Sequence, residues 1–189
     1  MGKLKIGIAL CGSYCTYDEV FKAIDKLCEK YDVMPIMSEN ASGTDSRFGK
    51  AADFIEGLSK KTGKAVADTI ALAEPIGPKK LLDVLVIMPC TGNTLAKMAN
   101  GVTDTAVTMA AKAHLRNERP VVLAIATNDG LAGNAANIGA LLNRRNIFFV
   151  PFYQDDPLKK PRSLMADFEL VGDAIEAAAA GKQLQPIIK

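Results

Sequence analysis

Apolar residues along the chain fall into two periods. Near-continuous runs of strand length lie at residues 4–10 (LKIGIAL), 32–38 (DVMPIMS), 83–89 (DVLVIMP), 120–127 (PVVLAIAT) and 146–151 (NIFFVP). Between them the spacing turns helical: residues 17–31 (YDEVFKAIDKLCEKY), 93–101 (NTLAKMANG), 104–117 (DTAVTMAAKAHLRN), 131–145 (LAGNAANIGALLNRR) and the Ala-rich 163–181 (SLMADFELVGDAIEAAAAG). Apolar residues at helical spacing bury one face of a helix, whereas a short unbroken apolar run suits a strand covered on both faces. Strands covered on both faces belong to parallel sheets, whose crossover helices do the covering. Right-handed crossovers then predict an α/β fold, doubly wound: a Rossmann-like, flavodoxin-like three-layer sandwich with a mostly parallel sheet.

Residues 39–80 are too long for a simple crossover and predict a helical insertion of two helices outside the minimal fold, with SKKTGK as a solvated turn. The DDPLKKP segment, 155–161, reads as a surface loop before the last helix. The 189 residues suffice for one domain, 1–189, with a substantial core. A net charge of +2 gives no electrostatic reason to expect nucleic acid or a membrane surface. No apolar run is long enough to span a bilayer. The amino-terminal MGKLKIGIALCG reads as a first strand rather than a secretory signal, which predicts a cytoplasmic protein. Cys11, Cys15, Cys28 and Cys90 form no C-x-x-C pair, and the one histidine, His114, is remote in sequence, so neither a metal site nor a disulfide is expected.

Candidate chemistry lies at the carboxyl ends of the strands, where open parallel sheets bind ligands near the switch point of strand order. After the first strand, CGSYCTYDEV offers Gly12 for close backbone approach, with Ser13 and Thr16 as helix caps. Such a helix start holds a phosphate or simply begins a capped helix. Ser38 and Asn40, after the second strand, hydrogen-bond a ligand edge or cap a turn. In PCTGNT, Pro89 is expected to stop the third strand and Gly92 to permit a backbone conformation closed to other residues. Thr91, Asn93 and Thr94 then place polar side chains at the sheet's mouth, with Cys90 among them as a small buried hydrophobe. Thr127, Asn128 and Asp129 end the fourth strand, with Asn134 and Asn137 in the helix that follows, and Asp129 either faces a ligand or simply caps that helix. No G-x-G-x-x-G follows the first strand, and no Gly-Lys-Ser/Thr phosphate loop is present, which disfavours a nicotinamide cofactor on this chain.

These residues carry a resemblance. PCTGNT followed by LAKMANGVTDT resembles the P-A-S-A-N-T segment of the flavin-binding cysteine-decarboxylase-like proteins: phosphopantothenoylcysteine decarboxylases, lantibiotic decarboxylases and flavin prenyltransferases. CGS matches their first loop, and ATN stands where many have Ala-Met-Asn. More narrowly, TDSRFGKAADFIE, PCTGNTLAKMANGVTDTAVTMAAKAHLRN, PVVLAIATNDGL, NIGALLN and FVPFYQDDPLKKPRSL resemble the family of dipicolinate synthase B subunits over nearly the whole chain.

The resemblance implies an oxidoreductase subunit of sporulation. With a dipicolinate synthase A subunit that carries the NAD(P), it would oxidise dihydrodipicolinate, or its hydroxy-tetrahydro precursor, to dipicolinate. It implies FMN as cofactor, contacted by Gly12, Ser13, Ser38, Thr91, Asn93 and Thr94, and it matches Asn128 to the active-site asparagine, with Asp129 beside it as a second catalytic candidate. It further implies a homo-oligomer, trimer or larger, in the mother-cell cytoplasm of a spore-forming bacterium. A dicarboxylate substrate calls for cations, and Arg47, Lys50 and Lys97 are the nearest in sequence. One departure stands out: the decarboxylases place a catalytic histidine before the third strand, where this chain has EPIGPKK. His114 lies in a helix beyond the motif, with a surface or packing role expected. The competing readings are a non-catalytic binding or stabilising subunit without flavin, and a flavin-dependent decarboxylase or transferase.

Overall fold

The computed structural model describes residues 2–189. The five expected apolar runs form β1 (Lys5–Leu10), β2 (Asp32–Met37), β3 (Val84–Cys90), β4 (Val121–Thr127) and β5 (Ile147–Phe149). They pair in parallel in the order β2-β1-β3-β4-β5. β3 is buried along its whole length, as an all-apolar strand must be inside a sheet covered on both faces. Connecting the strands are α1 (Tyr17–Lys30), α2 (Glu39–Gly43), α3 (Ala51–Thr62), α4 (Ile70–Ala73), α5 (Gly92–Ala99), α6 (Ala106–Leu115) and α7 (Ala135–Leu142), and α8 (Val171–Ala179) comes last.

The strand period of two splits the interior into two layers. On one face Ile6, Ile8 and Leu10 join Val84, Val86 and Met88 and pack on Val20, Ile24 and Leu27 of α1 and Val171 and Ile175 of α8. On the other, Leu85, Ile87, Leu123 and Ile125 pack on Leu95 of α5, Val107 and Ala110 of α6, and Ile138 and Leu141 of α7. Helices on both faces of a mostly parallel sheet make the three-layer α/β sandwich that the pattern predicts.

Several local expectations are corrected. Residues 163–181 are not one helix. Leu164–Ala166 form β7, antiparallel both to the end of β4 and to β6 (Phe152–Tyr153). β5 covers only Val121–Leu123 of β4, so the carboxyl half of that edge needs another partner for its backbone groups, and β7 supplies it. The Asp167 side chain then accepts from the Glu169 amide at 3.1 Å and starts a single 3₁₀ turn that leads into α8. Within 131–145 the helix begins only at Ala135, because residues 128–134 form turns. Pro89 does not end β3, which continues to Cys90. Instead the ladder to β4 slips between the Ile87–Leu123 and Cys90–Ile125 pairs, the local disruption expected of a residue with no N–H.

The 39–80 segment holds three short helices rather than two, and it also does sheet work. The Ala67 amide donates to the Pro35 carbonyl at 3.0 Å and the Met37 amide to the Ala67 carbonyl at 3.1 Å, which covers the outer edge of β2. At β5 the Gln183 side chain does the same for one residue, accepting from the Phe149 amide at 2.8 Å and donating to its carbonyl at 2.7 Å. Among the described residues no helix is long and apolar enough to cross a membrane.

Candidate functional site

Strand order reverses between β1 and β3, so the loops after these two strands diverge to opposite faces and leave a crevice at their carboxyl ends. Two clefts meet there. One, of about 230 Å³, is lined by Gly12, Ser13, Cys15, Thr91, Thr127 and Asn128, and across from them by Asp155, Lys160 and Ser163. The other, of about 210 Å³, is lined by Cys11, Gly12, Ser38, Asn40, Thr91, Asn93, Thr94 and Thr105. Gly12 and Thr91 belong to both. The structure therefore brings together Gly12, Ser13, Ser38, Thr91, Asn93, Thr94 and Asn128. Asp129 lines neither cleft.

Helix starts build this rim. Thr91 caps α5 by accepting from the Thr94 amide at 3.3 Å, and its hydroxyl meets that of Thr94 at 3.1 Å. Thr94 donates onward to Cys11 Sγ at 3.1 Å, tying α5 to the end of β1. Ser38 caps α2 through the Ala41 amide at 3.3 Å, the capping alternative left open by the sequence. Thr105 caps α6 in a reciprocal capping box with Thr108. The Glu39 carboxylate accepts from the Ala106 amide at 3.0 and 3.2 Å, placing a negative charge at the positive end of α6.

The first loop differs from expectation. Neither Ser13 nor Thr16 caps with its side chain. Thr16 Oγ1 instead donates to the Ser13 carbonyl at 2.8 Å, and the Ser13 hydroxyl, beside the cleft, has no hydrogen-bond partner among the described residues. Burial pushes the Cys11 thiol up to about 11, against smaller opposing effects of Thr94, Thr91 and Lys97. It raises Cys90 as well, assisted by Cys11. Both stay protonated near neutral pH and act as packing groups rather than nucleophiles.

Asp129 does not cap α7, whose N-cap is Asn134, but fastens the turn after β4. Its carboxylate accepts from Thr127 Oγ1 at 2.5 Å and from Asn134 Nδ2 at 2.9 and 2.8 Å, and Asn137 supports Asn134 at 2.9 Å. The Thr127 hydrogen bond holds the Asp129 carboxyl below its ordinary range, with burial opposing and Asn134 assisting. Asp129 is thus an ionised acceptor already occupied by its own turn, and it presents Asn128, which is exposed. Gly92 rests against the same network. Its φ is not positive, so it is needed for space rather than for a left-handed backbone. A Cβ there would lie 2.5 Å from Asn134 Nδ2, 2.7 Å from Thr127 Oγ1 and 2.8 Å from Asp129 Oδ1.

Sequence reasoning missed one wall. Asp155, Lys160 and Ser163 come from the DDPLKKP loop and its flank, which β7 carries to the end of β4. Lys160 Nζ pairs with Asp155 Oδ2 at 2.9 Å, leaving donor capacity on an exposed ammonium. The cations expected from the sequence lie elsewhere. Lys97 pairs with Asp104 at 2.8 Å, Arg47 lies over the Phe48 ring at 4.8 Å, and Lys50 precedes α3. His114 is buried at 1% exposure beside the amino-terminal ends of β3 and β4, opposite the clefts. Desolvation, then the Arg119 charge, depresses it to about 4, and its Nε2 has no partner.

The rim suits an anionic planar ligand: helix-start amides, amide side chains and one cation, with a glycine at the junction of the clefts. A Cβ on Gly12 would meet no protein atom closer than 3.8 Å, so packing does not demand this glycine and a side chain would occupy cleft space. The Flavoprotein family model matches residues 1–177. The dipicolinate synthase B subunit of Bacillus subtilis (strain 168) is 48% identical over 97% of this chain and 92% of its own length. The crystal structure of the dipicolinate synthase B subunit from Bacillus halodurans C superposes with a TM-score of 0.90 at 43% identity, covering 100% of this chain and 98% of that one. The HAL3 structure from Cryptococcus neoformans, with a TM-score of 0.71 at 17% identity over 95% of this chain and 98% of that one, shares the fold.

Proposed function

Because the chain belongs to the Flavoprotein family and, within it, groups with the dipicolinate synthase B subunits, we propose that it binds FMN in the joined clefts and works with a nicotinamide-binding A subunit. Together they would oxidise dihydrodipicolinate, or its hydroxy-tetrahydro precursor, to dipicolinate. From the dihydro compound the net change is loss of two electrons and two protons, leaving an aromatic pyridine. Bound flavin supplies a planar acceptor for electrons. The chain's own share is orientation and charge placement.

In this reading Gly12 admits the ligand, and the Ser13 hydroxyl with the first amides of α5 receives its phosphate. Asn93 and Asn128 offer amide groups to the ring and substrate edges. Ser38, Thr91 and Thr94 hold the helix starts in place, and Asp129 acts through the turn rather than on the substrate. Lys160 draws in a substrate carboxylate. The observation that carries the proposal is the glycine at the junction: Gly12 lies on both clefts, and a side chain there would fill ligand space. The missing histidine in EPIGPKK and the remote burial of His114 count against a decarboxylase of the cysteine type.

The test is the visible spectrum of the purified protein, or of protein incubated with FMN and desalted, followed by assays of each subunit alone and mixed. Two flavin bands, a light-scattering mass of a trimer or more, and turnover only in the mixture are expected. Protein that stays colourless after incubation overturns the flavin assignment, and full turnover by the A subunit alone overturns the catalytic one.

A further inference from the structure

A separate cavity, of about 420 Å³, lies away from the clefts, at the opposite end of α5. Its apolar surface comes from Met98, Ala111, Leu115 and Ile147. Its charges come from Lys112 in the last turn of α6, from Arg116 at the C-cap of that helix, and from Arg144 on the facing corner. No acidic residue lines it. Among the described residues neither Lys112 nor Arg116 forms an ion pair, although both are exposed. Arg144 is held in place by donating to the Met98 carbonyl at 3.0 Å and the Ala99 carbonyl at 2.5 Å, at the end of α5.

We infer that this cavity is a binding site for a small planar organic dianion, of the aromatic dicarboxylate class. The apolar surface gains from a flat ring, since desolvating it rewards apolar area. The cations on two walls gain from carboxylates at two ends of that ring, as charge-assisted contacts. An inorganic anion would use the charges and leave the apolar surface wet. A second copy of the chain would have to bring carboxylates to three cations at once. The inference stands on the cavity alone and holds whether or not the clefts take flavin.

The experiment uses the full chain with methyl-labelled Met and Ile, titrated with isophthalate as probe and with glutarate as a non-aromatic dianion of the same charge. Isophthalate should move the Met98 and Ile147 methyl signals saturably, and glutarate should bind at least about ten-fold more weakly. The double variant Lys112→Glu, Arg116→Glu should lose at least about ten-fold in isophthalate affinity, with its remaining methyl signals unshifted as the measure of folding. Signals that stay still up to millimolar isophthalate overturn the proposal, as do equal affinities for the two probes or an unaffected double variant. Sedimentation supplies the last arm. Self-association that covers these methyls and is abolished by the double variant would make the cavity a subunit interface, and the proposal would fall.

Discussion

Replacing Gly92 by alanine tests how the candidate site is assembled. The added Cβ would lie 2.5–2.8 Å from three atoms, where ordinary contact is 3.4–4 Å. Two of those atoms are donors pinned on Asp129: Asn134 Nδ2 at 2.9 and 2.8 Å, and Thr127 Oγ1 at 2.5 Å. To give way by most of an ångström the network must release at least one hydrogen bond to a carboxylate, about 1.5–3 kcal/mol. The helix-propensity gain of alanine over glycine, up to about 1 kcal/mol and smaller at a first helical position, opposes this. The net expectation is a loss of about 1–2 kcal/mol, within the usual range for overpacking. Gly139, in the middle of α7 with nothing within 4 Å of an added methyl, is the control: Gly139→Ala should stabilise by up to about 1 kcal/mol. Urea midpoints by circular dichroism measure both. In an Asn134→Ala background the cost of Gly92→Ala should shrink, because the nearest contact is gone. A Gly92→Ala protein at least as stable as the parent, with the control behaving as expected, would refute the argument that space fixes this glycine.

Two further outcomes follow from the buried histidine and the missed lysine. His114 is depressed to about 4 from 6.5, so the unfolded chain takes up its proton first. Its contribution is complete above pH 6.5 and is lost as pH falls toward 4, by about 3 kcal/mol in all. Denaturation midpoints should therefore fall across that window and fall much less for His114→Leu, and parallel profiles would exclude His114 as the cause. Lys160→Ala should weaken dicarboxylate binding while leaving FMN affinity within about two-fold, the contribution of a half-exposed charge being small to moderate. Equal loss of both ligands in calorimetry would mean that the loop, rather than the ammonium, was disturbed.

The parallel sheet was legible because each of its five strands is a local apolar run between helical patterns, and three layers follow from that alternation. The antiparallel addition was not. Leu-Met-Ala at 164–166 fits a helix as well as a strand by local preference, and Ala-rich residues follow it. Its state is decided by the half-unfilled edge of β4, a partner nearly forty residues earlier, which no local window contains. Pro89 misled in a related way. A missing donor argues for a strand terminator, but the burial of Met88 and Cys90 on either side outweighs one ladder bond, and a slip of register absorbs the loss.

The same distinction governs the site. Gly12, Ser38, Thr91, Asn93 and Asn128 follow strands that the sequence marks, so their convergence is a consequence of the sheet order. Lys160 and Asp155 reach the cleft only through β7, so the error on that strand concealed them. The rim also separates into two kinds of group. Ser38, Thr91, Thr94 and Asp129 spend their hydrogen bonds on helix starts and turns, while the side chains of Ser13, Asn93 and Asn128 are left uncommitted around the cleft mouth. A polar loop read from sequence mixes the two, because capping and ligand binding call for the same residue types. Only the partners tell them apart. Losing a committed group loosens the protein, whereas losing an uncommitted one weakens the ligand and spares the fold.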